Sequence, residues 1–536
     1  MYTVSMYIES VPNRNSPPAI LLRESFRHNG KVLKRTLANL SHWDPSRLEA
    51  LRRALRGDFD HLLCPHTTAG LVFGLLFVLK QLADALGLTA ALGKTRLAKL
   101  ALFLVLARLA HQGSRLSAVR WAADHAVREV LGLDAFDEDD LYAALDDLAA
   151  RQEKIERSLY RSYLLRRDSP PTLFLYDITS SYLEGQHNAF GDFGYSRDGK
   201  RGKLQIVIGL LTDSAGEPLA VRVFAGNTGD PVTVVDQIKI LQSQFGVREL
   251  VFVGDRGMVK SKGKQALQEA GLHYISALTD PQIRRLLAEG TLQMDLFSEA
   301  VCEVEADGLR YLLRRNAAEA ARQQHRLEDK LRKLRDKVEQ RNERVHNSPR
   351  CQPEAGPRNL QTWVARHKLA GQVELRLEGR KVVLERNQAA IDRALELAGC
   401  YVVVTDVSPQ RLEGQAVHDN YVNLQKVERD FRQMKTGLLE VRPVWVRKES
   451  RTRGHVFCCM LALKIAREME RRLQARFGTT DTDPSATTLP DALAALSRLC
   501  LLDYAIDVNQ TVTRLPKPDA RQQEILHALG VALPEK

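Results

Sequence analysis

Over residues 1–60 apolar and polar positions alternate, first in "YTVSMYIESV" and again in "AILLRESFRHNGKVLKRTLANL", which is the period of half-buried strands. "HNGK" sets Asn29 and Gly30 at a two-residue turn, so this end of the chain predicts a small β-hairpin. A helix over "DPSRLEALRRALRG" follows, with Asp44 or Ser46 as its cap. The rhythm then changes. "LVFGLLFVLKQLADALGL", "KLALFLVLARLAHQG" and "LYAALDDLAARQEKIERSLYRSYLL" carry apolar residues every three or four positions, so 61–167 is predicted to be a helical bundle.

At "RRDSPPTLFLYDITSSYLEG" two prolines break the helical run and the period becomes that of strands. "KLQIVIGLLTDSAGEPLAVRVFAG" reads as two strands joined by a Gly turn, then come the helix "DPVTVVDQIKILQSQFG", which Asp230 would cap, and the short strand "ELVFVGD". Three hairpin-forming strands, a helix and a further strand is the order of a ribonuclease-H-like α/β sheet, although other α/β folds begin the same way. Residues 281–399 differ. Their charged helix "AARQQHRLEDKLRKLRDKVEQRNERV" reads as a solvated face or a coiled-coil arm, and "GQVELRLEGRKVVLERN" as a strand pair. "CYVVVTD" at Cys400–Asp406 resumes the buried-strand pattern. The fold class expected is therefore α/β: a core in 168–280 and 400–475, interrupted by an insertion domain over 281–399. A helical tail is expected over 476–536.

Charge gives this architecture a partner. Lysine and arginine number 78 against 66 acids, a net charge of +12, which favours a polyanion such as DNA or RNA and makes the 61–167 bundle a candidate DNA-binding region. The seven cysteines form no CxxC pair, which argues for reduced thiols and against a structural zinc site. The apolar windows "GLVFGLLFVL" and "LAKLALFLVLARLA" are too short for a membrane span and no signal layout precedes them, so a soluble, cytoplasmic protein is expected, with no membrane partner. Neither a nucleotide-binding Gly-rich loop nor a Ser/His nucleophile arrangement stands out.

Three acids carry the candidate chemistry. Period two puts Leu173, Leu175 and Asp177 on one face of an apolar strand, where a carboxylate needs a cation or an edge of the core. Asp255 ends "LVFV" between Gly254 and Gly257, at the kind of strand end where α/β sheets place ligands. Glu428 lies on a helix expected from His418 onward, with Tyr421, Leu424, Arg432 and Lys435 near the same side and Val427, Phe431, Met434 and Leu438 as the adjoining apolar stripe. Taken singly, each Asp also reads as a turn or cap residue, and Glu428 as half of an i,i+4 pair with Arg432. Together, two strand-end Asp and a helical Glu match the oxygen ligands that two Mg²⁺ ions take for phosphodiester cleavage, with Mn²⁺ as a substitute.

The strings "YDITSSYLEG", "FGYSRDGKRGKLQIVIGLLTDSAGEPL", "FAGNTGD", "VGDRGMV" and "VERDFRQMKTGLLEVRPVWV" resemble the DDE transposases of the insertion sequence 1634 family, within the insertion sequence 4 group. The resemblance implies a ribonuclease-H-like catalytic domain with Asp177, Asp255 and Glu428 as metal-binding triad. It implies cleavage of insertion-element ends and joining of 3′-hydroxyls to target DNA, in a synaptic homodimer acting on terminal inverted repeats. The group's signature Y-x2-R-x3-E-x6-K is met by Tyr421, Glu428 and Lys435, while Leu424 stands at the Arg position and Arg432 is the candidate substitute. Tyr421, Lys435 and Arg256 would contact DNA, as would Arg197, Lys200, Arg201 and Lys203 in "SRDGKRGK" and the cations of "VRKESRTRGH". Trp363 would either stack on a flipped base or pack within the insertion. Two other functions fit the same residues: a host ribonuclease-H-like nuclease or resolvase, and a domesticated, non-catalytic DNA-binding protein.

Overall fold

The computed structural model describes residues 5–534 apart from 15, 29, 58–66, 201, 248–249, 257–260, 270, 349, 351–354, 436, 438, 442–445, 480–482 and 508–509. The chain divides into two units: Met1–Val78, Arg120–Val130 and Arg472–Lys536 in the first, Leu79–Val119 and Leu131–Arg471 in the second.

In the first unit the alternating start yields more than a hairpin. Strands β1 (Ser5–Val11), β2 (Ala19–His28) and β3 (Lys31–Asn39) form an antiparallel sheet, with the two-residue connection falling at 29–30 as expected. The extra strand is the first alternating segment, whose Glu9 pairs across the sheet with Arg23 at 2.7 Å. Asp44, rather than Ser46, caps the helix Pro45–Arg56 by accepting from the Ser46 N–H. The expected helix beginning at Leu71 is corrected: Thr67–Val72 is a strand, β4, and the helix starts at Gly74. Its partner is the strand Cys500–Asp507, itself paired with Gln510–Arg514, so the expected helical tail holds two strands as well as helices Leu489–Leu496 and Ala520–Leu529. Phe73, Ala126 and Leu501 bury together beneath these strands, a contact between distant segments that overrides local helical rhythm.

The second unit begins in helices. Arg96–Ala110 is buried along almost its whole length, which is why its sequence is apolar all round. After Pro170 and Pro171 the chain enters an eight-stranded mixed sheet. Its strands are β5 (Leu173–Tyr182), β6 (Gln205–Asp213), β7 (Pro218–Ala225), β8 (Val251–Gly254), β9 (His273–Ala277), β10 (Cys302–Ala306), β11 (Leu309–Arg315) and, after the excursion described below, β14 (Cys400–Thr405). The order across the sheet is β10-β11-β14-β9-β8-β5-β6-β7. Strands β5, β6 and β7 are antiparallel neighbours, and β8 and β9 run parallel to β5. The helix Asp230–Lys239 connects β7 to β8. Gly229, not Asp230, occupies its cap position.

One face of this sheet buries Phe174, Tyr176 and Ile178 of β5 with Phe252, Tyr274 and Val402 in a single apolar cluster. Each such side chain contributes roughly 1.5–3 kcal/mol when fully removed from water. Alternation then puts Leu175 and Asp177 on the other face, and the helix Leu424–Lys435 packs against β5. The strands β10 and β11 join this sheet beside β14. Between them and β14 lies an excursion with its own core: Leu331, Leu334 and Val338 of the helix Ala317–Asn347 bury against Leu360, Val364, Val382 and Ile391. The charged helix therefore buries one stripe against the helix Ala355–Arg366 and the hairpin β12 (Val373–Glu378) and β13 (Lys381–Arg386), and exposes the rest. Among the described residues five cysteines are free thiols, and no helix is long and apolar enough to cross a membrane.

Candidate active site

The pairing of two parallel strands brings the first two acids together. Tyr176 of β5 stands opposite Gly254 of β8, so the next residue on each strand is Asp177 and Asp255. Gly254 ends β8, which lets Asp255 leave the sheet at its carboxyl edge while Asp177 remains within a strand buried at nearly every position. The third acid arrives on a helix. Val427, Phe431 and Met434 form the buried stripe of Leu424–Lys435 as expected, joined by Leu424, which was expected on the Glu428 side; Leu438 lies outside the described residues, and Glu428 projects from the exposed border.

All three carboxylates line one cavity of about 660 Å³. Burial pushes the Asp177 carboxyl up to about 7; the Ile178 N–H, donating to Asp177 Oδ1 at 2.7 Å, opposes this, and the charges of Asp255 and Glu428 add to it. Asp177 therefore lies in a field of like charge that a bound cation would relieve. Asp255 Oδ1 accepts from the Tyr421 hydroxyl at 3.2 Å, and burial together with Asp255 holds the Tyr421 phenol above its usual range. Arg256 also lines the cavity and lies 3.8 Å from Asp280. Among the described residues, no three His, Cys, Asp or Glu side chains converge closely enough, as they stand, to ligate a single ion. The donor set is nonetheless all oxygen and all carboxylate, the set that suits Mg²⁺ or Mn²⁺.

The helix expected to run on from His418 is divided at Asn423 into Gly414–Val422 and Leu424–Lys435, so Tyr421 and Glu428 stand on different helices. The predicted cations around Glu428 have distinct surroundings. Lys426 donates to the Ser214 carbonyl at 2.9 Å, Arg432 is exposed outside the cavity lining, and Lys435 is buried against Asp198 at 2.9 Å. That pair ties the Glu428 helix to the basic loop between β5 and β6, because Asp198 also accepts from the Tyr182 N–H.

Within the loop, the Arg197 N–H donates to Ser180 Oγ at 2.8 Å, Lys200 is exposed and Lys203 pairs with Glu184 at 3.0 Å. Arg201 lies outside the described residues. The loop is clamped at Gly226, where an added Cβ would lie 2.1 Å from the Gln205 carbonyl, and Gln205 itself donates to the Gly226 and Tyr195 carbonyls. Phe193 and Tyr195 stand exposed on it. Trp363 is half-buried against the cluster of the helix Ala317–Asn347, with its ring tilted against that of His367 at 3.9 Å between centroids. In the second basic segment Arg451 pairs with Asp146 at 3.3 Å and lies over the Tyr142 ring.

Sequence reasoning passed over Arg314, Asn316, Tyr401, His418 and Asp419 among the residues of the cavity wall. They come from β11, its end, β14 and the helix Gly414–Val422, and their one local signal was the Arg314-Arg315 pair closing an apolar strand.

The Transposase DDE domain family matches residues 168–465, more than half of the chain and including Asp177, Asp255 and Glu428, and the N-terminal domain of IS1634 family transposases matches residues 8–62. No curated protein matches. Among solved structures, the chain is similar to a piggyBac transposase in a synaptic complex with hairpin DNA, at 9% identity and a TM-score of 0.37, over 74% of this chain and 69% of that one.

Proposed function

Since the chain belongs to the DDE transposases of the IS1634 family, we propose that it cleaves the ends of its own insertion element and joins the 3′-hydroxyl ends to target DNA, using Asp177, Asp255 and Glu428 as its catalytic acids. The observation that carries this reading is the meeting of those acids in one cavity, two from neighbouring parallel strands and one from a helix packed on the same sheet. The order β7-β6-β5-β8-β9 supports a ribonuclease-H-like core, and the separate apolar cluster between β11 and β14 supports an insertion domain within 281–399.

The acids fit two Mg²⁺ ions, which when bound would activate the attacking hydroxyl or water and stabilise the leaving oxygen. The chain's own residues prepare that site. Leu175 and the apolar stripe of the Glu428 helix keep the carboxylates on a rigid floor, and the Tyr421 hydroxyl holds Asp255 in one orientation. Arg197, Lys200 and the exposed rings of Phe193 and Tyr195 offer DNA a surface that combines charge with stacking. We place the action in the cytoplasm, on DNA of the nucleoid, with terminal inverted repeats brought together by a homodimer.

The test uses purified protein, Mg²⁺ and a labelled fragment carrying the end of the element that encodes the chain, with a plasmid as target. Cleavage and joining are expected for the wild type. Both should fall by on the order of 100-fold or more in Glu428→Gln, as when one preorganised electrostatic partner of a transition state is removed. Chelation by EDTA should abolish both. Equal activity in the variant would remove Glu428 from the triad.

A further inference from the structure

The cavity holds one cation that stands apart from the others. Arg314 lines it together with Asp177, Asp255, Glu428 and Asp419, and its charge acts on Asp419, yet among the described residues no carboxylate lies within ion-pair distance of its guanidinium. Its hydrogen bonds go to neutral acceptors instead: Nε donates to the Glu299 carbonyl at 2.8 Å and Nη1 to His418 Nε2 at 3.0 Å. His418 is itself fixed. It is only 3% exposed, its Nδ1 lies 2.9 Å from Asp419 Oδ1, and the Tyr401 hydroxyl makes a short hydrogen bond to its Nε2. With Nδ1–H donating to Asp419, Nε2 is left as the acceptor that orients both Arg314 and Tyr401.

A half-buried guanidinium that no carboxylate pairs at close range has its geometry set in advance by these hydrogen bonds. Such a group is poorly explained as a structural staple, because a neutral donor would bond Glu299 and His418 without the cost of desolvating a charge. It is well explained as a binding site for an anion. The cavity is also lined by four carboxylates, Asp177, Asp255, Asp419 and Glu428, which repel a phosphodiester unless a fixed positive charge sits close by. We propose that Arg314, oriented by His418 and with Tyr401 beside it, grips a backbone phosphodiester of the DNA strand that enters the catalytic cavity. His418 and Asp419 are positioning residues in this arrangement and touch no substrate. The proposal rests on the transposase reading above, and it moves the missing basic contact at position 424 to a different strand of the sheet rather than to Arg432.

The experiment is a phosphate-neutralisation scan. Duplexes of the element's end, each with one methylphosphonate at a defined position near the cleavage point, are titrated by fluorescence anisotropy against the wild type, Arg314→Ala, Arg314→Lys and His418→Gln. For the wild type, neutralising one phosphate, or two adjacent ones, should weaken binding at least about tenfold, the scale of losing a charge-assisted hydrogen bond. Arg314→Ala should bind the unmodified duplex correspondingly more weakly and be indifferent to neutralisation at that same position, while keeping the wild-type response elsewhere. A purely structural role would lower binding at every position alike. Arg314→Lys keeps the charge but not the fork, and His418→Gln keeps Arg314 but loosens it, so both should show a reduced, not absent, response at that position. These two carry the comparison if Arg314→Ala does not fold. An unchanged neutralisation profile in the Arg314 variants overturns the proposal. A wild type that binds no element end sinks the transposase reading itself, which the unmodified duplex reports separately.

Discussion

Lys435 satisfies a sequence motif and is at the same time half of a buried ion pair. The family signature makes it a backbone contact beside Glu428, but its ammonium is buried, with its side chain 9% exposed, and pairs with Asp198, whose side chain is 4% exposed. Removing one partner of such a pair leaves the other charge uncompensated, at a cost of about 3–5 kcal/mol. Lys435→Met and Asp198→Asn are therefore expected to lower the thermal midpoint clearly, and the double variant to lose less than the sum of the two. Differential scanning fluorimetry checks this. A Lys435→Met protein with wild-type melting and weakened DNA binding would return the residue to direct substrate contact. Either way, the pair couples the basic loop to the helix that carries the third acid, and so loop and triad are positioned together.

Among the elements, the helix Glu449–Phe477, whose Arg467 pairs with Asp430 on the Glu428 helix, shows how tightly the second unit is packed. Gly454 lies against the helix Glu138–Ala150, where an added Cβ would be 2.1 Å from the Leu145 carbonyl oxygen. Backbone cannot move aside as a flexible side chain can, so Gly454→Ala should destabilise by roughly 1–3 kcal/mol through overpacking. An urea midpoint equal to the wild type's would show that the helices separate at no cost. This close approach was not legible in the sequence, and the reason is general to the chain. Local rhythm revealed β5 to β8 and β14, the strand ends at Asp177 and Asp255, and the apolar stripe that places Glu428, because each depends on neighbours in sequence, but it passed over β9. It misread Leu71 and Val72 as helical because the strand that claims them lies beyond residue 499. It passed over Arg314, Tyr401 and His418 because no local pattern links positions on two strands and a helix. The division at Asn423 was hidden too, since residues 414–435 are helical on both sides of it.

For the whole molecule the relevant quantity is charge, since +12 on 536 residues makes DNA association electrostatic before it is specific. Each phosphate neutralised by a lysine or arginine contributes about −0.9 to the slope of log affinity against log salt on duplex DNA. The basic loop should contribute through Arg197 and Lys200. Lys203 already has Glu184 as a partner and should contribute less. The double variant Arg197→Ala, Lys200→Ala is thus expected to flatten the slope by about 2 and to leave the cleavage position unchanged. Lys203→Ala alone should shift it by well under 1. Anisotropy titrations of one element-end duplex between low and physiological salt measure both. A double variant with the wild-type slope would mean that DNA passes this loop without touching it, and would move the electrostatic contact to other parts of the chain, with the segment from Arg447 to Arg453 the next to examine by the same slopes.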